Sequence, residues 1–352
     1  MVASANITAT SASPVFVSRC TLDAVQTSAT REARDASILD SRNDHYDFLV
    51  NPVAAQTPTW LPPAEKERCP SKWGAGDERG SMNLQKAEAV KKAVGLIKTG
   101  EIIELAHVLN DKMPFFGTRR FDVHTKRTFL NQPANKRSSN EEIVIAEIGQ
   151  VGTQLDGFAH QGHEDSLYNC FKISETSGRS GFTKLGIHLT GMFFTRGVLV
   201  DVAAFKGVET LPDTYEITVE DIEGALAKQN TTLQEGDAIV INTGWHKFWG
   251  KDNARYVKSC PGLGIKAAQW LLAKNPMLLG ADNWPVEVAP NPDPSISLPV
   301  HQLALVVNGV HLLENMNTEE LAAKRVYEFA FMMQPIKMQG GSGSTVSPVA
   351  AR

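Results

Sequence analysis

The chain has 352 residues, a hydrophobic fraction of 42% and a formal net charge of -4 at pH 7. This length and hydrophobic content allow a sizeable buried core, in one large domain or two smaller ones. The slightly acidic balance excludes a strong basic field, so we expect a small-molecule partner and neither nucleic acid nor a membrane.

Four widely separated cysteines are present, at positions 20, 69, 170 and 260. They form no CxxC pair, so the spacing predicts neither a zinc knuckle nor a disulfide framework. No apolar run approaches the ~20 residues that a transmembrane helix needs, and the amino terminus lacks the apolar core of a secretory signal. We therefore expect a reducing, cytoplasmic location.

Composition divides the chain into three parts. Residues 1–55 are rich in Ala, Ser and Thr without a sustained period, which is typical of a poorly ordered or peripheral extension. Residues 56–338 have the patterning of a folded domain, and the Gly-Ser-rich residues 339–352 are predicted to form a flexible tail.

Helical and strand patterns alternate along the central part. Apolar residues at helical spacing predict helices over 84–98, 217–228, 264–272 and 319–325, and Thr218 with Asp221 resembles a capping box. Strands are predicted over 101–109, 143–148, 197–203, 237–242, 277–280 and 327–333. The alternation predicts an α/β fold, and the long stretch 120–195 favours mixed sheets with extended loops.

Residues 147–163, EIGQVGTQLDGFAHQGH, have the composition of a functional site. Gln150, Gln154 and Asp156 have even spacing and would share one face of a strand, and His160 follows as a ligand or general base. A single Asp or His in a loop is more often a turn or cap residue, but this clustering favours a metal ion or polar substrate. No dinucleotide-binding GxGxxG, P-loop or GxSxG elbow is present.

A second group of candidates follows downstream. His301 and Glu314 flank an apolar segment, and His311 with Glu314 is a rival helical pair, although the β-branched run and Gly309 favour a strand there. Aromatic residues that could line a pocket or simply pack in the core are Phe115, Phe116, Trp245 and Trp284.

Several segments, in order, resemble the metal-dependent hydrolase family called cyclases, which includes kynurenine formamidase and isatin hydrolase. They are WGAGDERGSMN, HVLNDKMPFFG, GTQLDGFAH, GVLVDVA, GDAIVINTGW, GADNWPVE and PVHQLALVVNGVHLLEN, between Trp73 and Met333. The resemblance implies a single swivelling β/β/α-type domain with mixed sheets. It also implies hydrolytic chemistry with a divalent metal, Zn or Mn.

The family signature is HxGTHxDxPxH, in which two histidines and the aspartate bind metal and the last histidine is catalytic. Gln150 and Gln154 stand at the two metal histidines and Phe158 at the proline, whereas Asp156 and His160 match. Imidazole is a much better zinc or manganese ligand than a neutral amide, so a site for two metals is disfavoured.

The resemblance assigns a role to each candidate. The metal ligands are Asp156, His301, Glu314 and Gln150, with His160 catalytic. Gln154 joins the four aromatic residues as a substrate-binding candidate. We also expect a homo-oligomer.

The glutamine-containing motif is similar to that of trans-dienelactone hydrolase, which predicts opening of a cyclic ester by metal-activated water. An amide hydrolase of the formamidase or isatin hydrolase type is the alternative. A third reading is a binding protein without catalysis on the same scaffold, because two metal histidines are missing.

Overall fold

A curled mixed sheet of nine strands organises the part of the chain described by the computed structural model, residues 57–128 and 134–352. The strands in chain order are β1 (Ile102–Glu104), β2 (Phe121–Thr128), β3 (Ser139–Ala146), β4 (Gln154–Asp156), β5 (Ser177–Gly178), β6 (Gly181–Phe182), β7 (Phe193–Asp201), β8 (Glu216–Ile217), β9 (Ala238–Asn242), β10 (Gly262–Leu263), β11 (Leu278–Ala281), β12 (His311–Glu314), β13 (Glu328–Met333), β14 (Gly343–Thr345) and β15 (Val349–Ala351). The extension predicted over residues 1–55 lies outside the described residues.

Helices cover this sheet and connect its strands. They are α1 (Glu65–Arg68), α2 (Ala87–Val94), α3 (Ile173–Thr176), α4 (Val202–Lys206), α5 (Val219–Gln229), α6 (Asn253–Lys258), α7 (Ile265–Leu272), α8 (Pro299–His301) and α9 (Glu319–Lys324), with a π-helix over Gln302–Asn308 directly after α8. Short 3-10 turns cover Gly80–Leu84, Tyr168–Cys170, Ile187–Leu189 and Trp245–Phe248.

The large sheet has the strand order β1-β15-β13-β7-β9-β11-β12-β4-β14. Strands β7, β9, β11 and β12 pair in parallel, and the flanking pairs are antiparallel. Val198 and Val200 of β7 pack into the core on one face, whereas Leu199 packs into the core on the other. Apolar cores on both faces explain why the central strands are continuously hydrophobic. The expected α/β class with a mixed sheet is confirmed.

The predicted capping box at the start of α5 is present. The Thr218 hydroxyl accepts a hydrogen bond from the Asp221 N–H at 3.3 Å, and the Asp221 carboxylate accepts from the Thr218 N–H at 3.1 Å. Such a cap stabilises a helix by about 1 kcal/mol, because it satisfies N–H groups that have no partner within the helix.

Two predicted elements are shorter than their patterns indicated. The helix predicted over 84–98 is confined to Ala87–Val94 and ends at Gly95, not Gly100. The strand predicted over 101–109 spans only Ile102–Glu104, because the chain pairs with β15 there and then leaves the sheet. Helical and strand periods extend past the ends of an element when the neighbouring residues pack against the same core.

The strand predicted over 143–148 forms a separate two-stranded hairpin. It spans Ser139–Ala146 and pairs antiparallel with Phe121–Thr128. Val123, Ile143 and Ile145 of this hairpin are 52%, 50% and 40% exposed, so its apolar side chains are not covered within the described residues. The hairpin leads directly into the segment 147–163.

The prediction of a flexible tail over 339–352 is wrong. Residues of the tail form β14, which pairs with β4, and β15, which pairs with β1 and β13. A Cβ atom at Gly149 would lie 2.9 Å from the Gly343 carbonyl oxygen, and one at Gly157 would lie 2.6 Å from that of Ser342. The small residues therefore allow two backbones to approach closely.

The expectation of no disulfide is also wrong, since Cys69 and Cys170 are bonded across a sequence separation of 101. The bond joins the segment after α1 to the loop that follows the 147–163 segment. Disulfides persist in oxidising compartments, so this bond argues against the expected reducing location. No helix in residues 57–128 and 134–352 is long and apolar enough to cross a membrane.

Candidate metal centre and active site

The antiparallel pairing of β4 with β12 brings the two predicted site segments together. The register places Gln154 opposite Glu314 and Asp156 opposite Leu312. His311 lies in the strand, as expected, and its Nδ1 donates to the Asp156 carbonyl oxygen at 2.8 Å. Sequence positions 155 to 160 residues apart thus meet at one edge of the sheet because two short strands share a ladder.

Asp156, His160 and His301 form a group that could hold a metal ion. One potential ligand atom from each residue lies within 4.8 Å of the others. The Asp156 Oδ2 atom lies 3.6 Å from Nε2 of His160 and 3.6 Å from Nε2 of His301. Their side chains therefore converge on a common point with nitrogen and oxygen donors, which divalent metals prefer.

The Asp156 carboxylate supplies the test of whether these residues fit a metal. Its side chain is 0% exposed, and neither carboxylate oxygen accepts a hydrogen bond from a described residue. A buried carboxylate without hydrogen bonds is costly unless it is paired with positive charge or coordinates a metal. The donor set therefore fits a divalent cation.

Glu287, which was not among the predicted site residues, holds His301 in place through its Nδ1 atom. Glu287 Oε1 lies 2.7 Å from His301 Nδ1 and accepts from the His301 N–H at 2.9 Å, and Oε2 accepts from the Val300 N–H. Burial lowers the pKa of His301, but Glu287 and Glu314 outweigh burial and raise it well above its ordinary value. Nδ1 contacts Glu287, so Nε2 faces the cluster, an arrangement typical of metal-binding histidines.

Glu314 completes the acidic side of the cluster. Its Oε1 lies 3.1 Å from His301 Nε2, and its Oε2 accepts from Gln154 Nε2 at 2.9 Å. Burial, followed by the charge of Asp156, raises the pKa of Glu314 to about 7. A bound cation would reverse this shift, because it favours the ionised carboxylate.

The two glutamines of the motif occupy different positions relative to the cluster. Gln154 is buried, contacts Glu314, and donates from Nε2 to Gln150 Oε1 at 3.4 Å. Gln150 lines the cavity, and its Nε2 is buried without a partner among the described residues. Gln154, expected to bind substrate, also lines the cavity and holds Glu314, while Gln150 lies at the edge of the cluster.

His160 is the most accessible member of the cluster. Its Nε2 lies 3.3 Å from Gln161 Nε2, and its side chain is 17% exposed. Burial lowers the pKa of His160, and the Asp156 carboxylate opposes that effect. A lowered pKa keeps the imidazole neutral near pH 7, the form that accepts a proton.

The cluster lies at a cavity of about 150 Å³. Phe115, Phe116 and Trp284 line it, as predicted, and the rings of Phe116 and Trp284 are 4.5 Å apart. Trp245 does not line this cavity; it is 0% exposed and its Nε1 donates to the Tyr256 carbonyl oxygen. A larger open groove of about 970 Å³ lies elsewhere, and its lining includes none of the predicted site residues.

Three residues at the site were missed by the sequence analysis: Glu287, Arg119 and Gln161. Glu287 lies at the end of the segment ADNWPVE, where a carboxylate after a strand end could have indicated a role. Arg119 follows the aromatic pair by three positions, and Gln161 follows His160 directly. Their sequence positions alone indicate no contact with residues near 300, and only the tertiary structure brings them to the site.

Comparison with known proteins supports the family resemblance. A family model named Cyclase matches residues 103–288. A crystal structure described as a novel cyclase is 32% identical, with a TM-score of 0.72, over 80% of this chain and 98% of the other. An isatin hydrolase bound to the product analogue thioisatinate is 18% identical, with a TM-score of 0.50, over 76% of this chain and 97% of the other.

A search of curated protein sequences gave no significant match. The family model extends over more than half of the chain, from β1 to the segment that contains Glu287. The structural match at 32% identity covers 80% of the chain. The chain therefore belongs to the cyclase family.

Proposed function

We propose that the protein is a metal-dependent hydrolase that opens a small cyclic ester. The observation that carries this proposal is the convergence of Asp156, His160, His301 and Glu314 at a cavity of about 150 Å³, with neither Asp156 oxygen hydrogen-bonded to a described residue. Buried acids and imidazoles of this kind, beside a cavity, are typical of catalytic metal sites.

Asp156, His301 and Glu314 would hold the ion, with Gln150 Oε1 as a weaker neutral donor at the edge of the cluster. When bound, the metal would lower the pKa of water and polarise the substrate carbonyl. Zinc and manganese both suit this mixture of imidazole and carboxylate. Glu287 keeps the His301 ring oriented, and Gln154 keeps Glu314 oriented.

His160 is the proposed catalytic base and acid. Its lowered pKa leaves it neutral, so it can accept a proton from the attacking water and return that proton to the leaving oxygen. Asp156, at 3.6 Å from Nε2, would stabilise the imidazolium that forms between the two transfers. The greater exposure of His160 is consistent with contact to a substrate.

The proposed substrate is a small planar ring. Phe115, Phe116 and Trp284 provide aromatic walls, against which a flat conjugated ring can pack. The preference for a cyclic ester rests on the glutamines at 150 and 154, through the resemblance of the motif to that of trans-dienelactone hydrolase. A cyclic or N-formyl amide is the second candidate, favoured by the fold similarity to an isatin hydrolase.

Turnover of matched lactone and amide panels tests the proposal. The purified protein would be stripped with a chelator, reloaded with zinc or manganese, and assayed on unsaturated lactones and on lactams of the same ring size. We expect metal-dependent hydrolysis that is faster on the lactones. Hydrolysis that is unchanged by chelation would contradict metal dependence, and a metal-free protein that binds the rings without turnover would favour a binding function.

A further inference from the structure

Arg119 lies in the wall of the active-site cavity, where its charge acts on Glu314 without forming an ion pair with it. Its Nη1 donates to the Gln150 carbonyl oxygen at 3.2 Å, and its own N–H donates to the Phe116 carbonyl oxygen at 3.2 Å. No Asp or Glu in residues 57–128 and 134–352 lies within ion-pair distance of its guanidinium. The neighbouring Arg120, in contrast, pairs with Asp122 and does not line the cavity.

Outside the cluster of His160, His301 and Glu314, the cavity wall is uncharged except for Arg119. Phe115, Phe116, Trp284 and Leu298 contribute apolar surface, and Arg119 is the only lysine or arginine among the lining residues. A guanidinium has five N–H donors in a planar fork, so the bond to Gln150 leaves donors that can bind a ligand. Arginine in this geometry matches a carboxylate, which it can bind through two parallel hydrogen bonds.

We propose that Arg119 is a specificity-determining residue that selects planar ring substrates bearing a carboxylate. This inference rests on the proposed function and narrows its substrate class. The ring packs against Phe116 and Trp284, its reacting carbonyl faces the cluster of Asp156 and His301, and its carboxylate pairs with Arg119. A neutral ring of the same shape would leave the guanidinium without a charge partner.

Kinetics on an acid and its methyl ester test this selection. A carboxylate-bearing unsaturated lactone and its methyl ester would be compared with Arg119→Gln, Arg119→Lys and Arg120→Gln, all loaded with metal. We expect Arg119→Gln to raise KM for the acid by roughly 10- to 100-fold, the scale of a lost charge-assisted hydrogen bond, with little change in kcat. KM for the ester should stay within about twofold, the Arg120→Gln control should resemble the wild type, and Arg119→Lys should recover part of the loss.

Binding of benzoate and benzamide, measured by calorimetry, separates this inference from the proposed hydrolysis. Benzoate should bind the wild type more tightly than benzamide, and Arg119→Gln should remove that preference. If benzoate binds wild type and Arg119→Gln equally, or does not bind the wild type, the inference is wrong even where lactones are hydrolysed. If no ring is hydrolysed but the benzoate preference depends on Arg119, hydrolysis is wrong and the anionic ligand class stands.

A structural role for Arg119 predicts a different pattern. If the bond to Gln150 were its only function, Arg119→Gln would weaken benzoate and benzamide equally and lower the melting temperature or metal content. That result would overturn the proposal. Arg119 is partly exposed and its one side-chain hydrogen bond to a described residue is to Gln150, so the variant is expected to keep the fold.

Discussion

Two buried carboxylate–histidine pairs originate in one short segment, residues 282–287. Glu287 holds His301 at 2.7 Å from Nδ1, and Asp282 holds His246 at 2.8 Å from Nδ1. Both carboxylates are 0% exposed. Burial raises the pKa of Asp282, but His246 and the hydrogen bonds from Thr243 outweigh it, so the pKa is lowered and the carboxylate is ionised.

The two pairs differ in what lies beyond the second ring nitrogen. His301 Nε2 faces two carboxylates, Glu314 at 3.1 Å and Asp156 at 3.6 Å. His246 Nε2 is buried and has no hydrogen-bond partner among the described residues. Burial, followed by the charge of His246, lowers the pKa of the nearby His107 to about 4.

The surroundings of Asp282 also differ from those of Glu287. Its Oδ1 accepts from both the N–H and the hydroxyl of Thr243, which follows strand β9. Thr318 lies 3.2 Å from His246 Nδ1 and donates to Asn242 at the end of β9. This network of hydrogen bonds links residues that follow the parallel strands β9, β11 and β12. We therefore interpret the Asp282 pair as structural.

A histidine that is oriented by a carboxylate does not by itself make a metal centre. Further acidic donors must converge on the free ring nitrogen, as Asp156 and Glu314 do at His301. Substitutions in the two pairs should therefore separate metal binding from stability.

The largest effect is expected from removing an acidic donor at the His301 pair. Asp156→Ala and Glu314→Ala should each lose stoichiometric metal, and hydrolysis should fall to background, because the remaining donors cannot neutralise a divalent cation. Metal content by mass spectrometry and turnover on the preferred ring measure both effects. His246→Gln is the matched control and should retain metal; its loss of metal would show that the two pairs form one site.

His160→Ala should slow turnover by about 10²-fold or more without emptying the site, the usual scale for loss of a general base. The structure places His160 at 3.6 Å from Asp156, close enough for either a base or a ligand. Metal content distinguishes the two roles. A metal-free His160→Ala protein would assign His160 to the ligands and contradict its proposed role.

Glu287→Gln and Asp282→Asn form a matched pair of nearly isosteric changes. Glu287→Gln should weaken metal affinity or activity by roughly 10- to 100-fold, since it disturbs the orientation of a ligand histidine. Asp282→Asn should leave metal affinity unchanged but lower the free energy of unfolding by about 3 kcal/mol, the scale of breaking a buried ionic pair. Metal titration and urea unfolding of both variants measure these effects. Similar metal loss in both variants would contradict a structural role for the Asp282 pair.

The candidate ligand residues could be selected from the sequence because side-chain chemistry is local. Asp156, His160, His301 and Glu314 were identified from a motif, and the structure brings all of them together. Glu287 was missed because its role depends on a contact with a helix 14 residues away. No local pattern distinguishes Glu287 from Asp282.

The fold was predicted best where burial on both faces imposes a strong pattern. The central strands β9 and β11 were identified within one residue of their observed bounds for this reason, whereas β7 begins four residues before its predicted start and ends two residues before its predicted end. The tail was not, because Gly-Ser composition is shared by linkers and by strands that pack closely against another backbone, as Gly343 does against Gly149. The disulfide was missed because its cysteines are 101 residues apart.

His107 makes the Asp282 pair sensitive to acid. Burial, followed by the charge of His246, lowers the pKa of His107 to about 4, from 6.5 in the unfolded chain, and Asp282 opposes this only in part. Between these pH values the unfolded state binds a proton that the folded state does not, so stability falls as pH decreases through this window. At pH 5 this single group should lower the free energy of unfolding by about 2 kcal/mol relative to pH 8.

His107→Gln should remove that contribution. Loss of the stacking contact with Trp249, whose ring centroid lies 4.4 Å away, should lower stability at every pH, whereas the difference between pH 5 and pH 8 should shrink by about 2 kcal/mol. His311, whose pKa burial also lowers to about 4, remains in the variant and preserves a residual pH dependence. Urea unfolding of both proteins at the two pH values measures this difference. An unchanged pH dependence would show that His107 is not kept neutral by burial and by His246, and would weaken the interpretation of the Asp282 pair as a closed structural network.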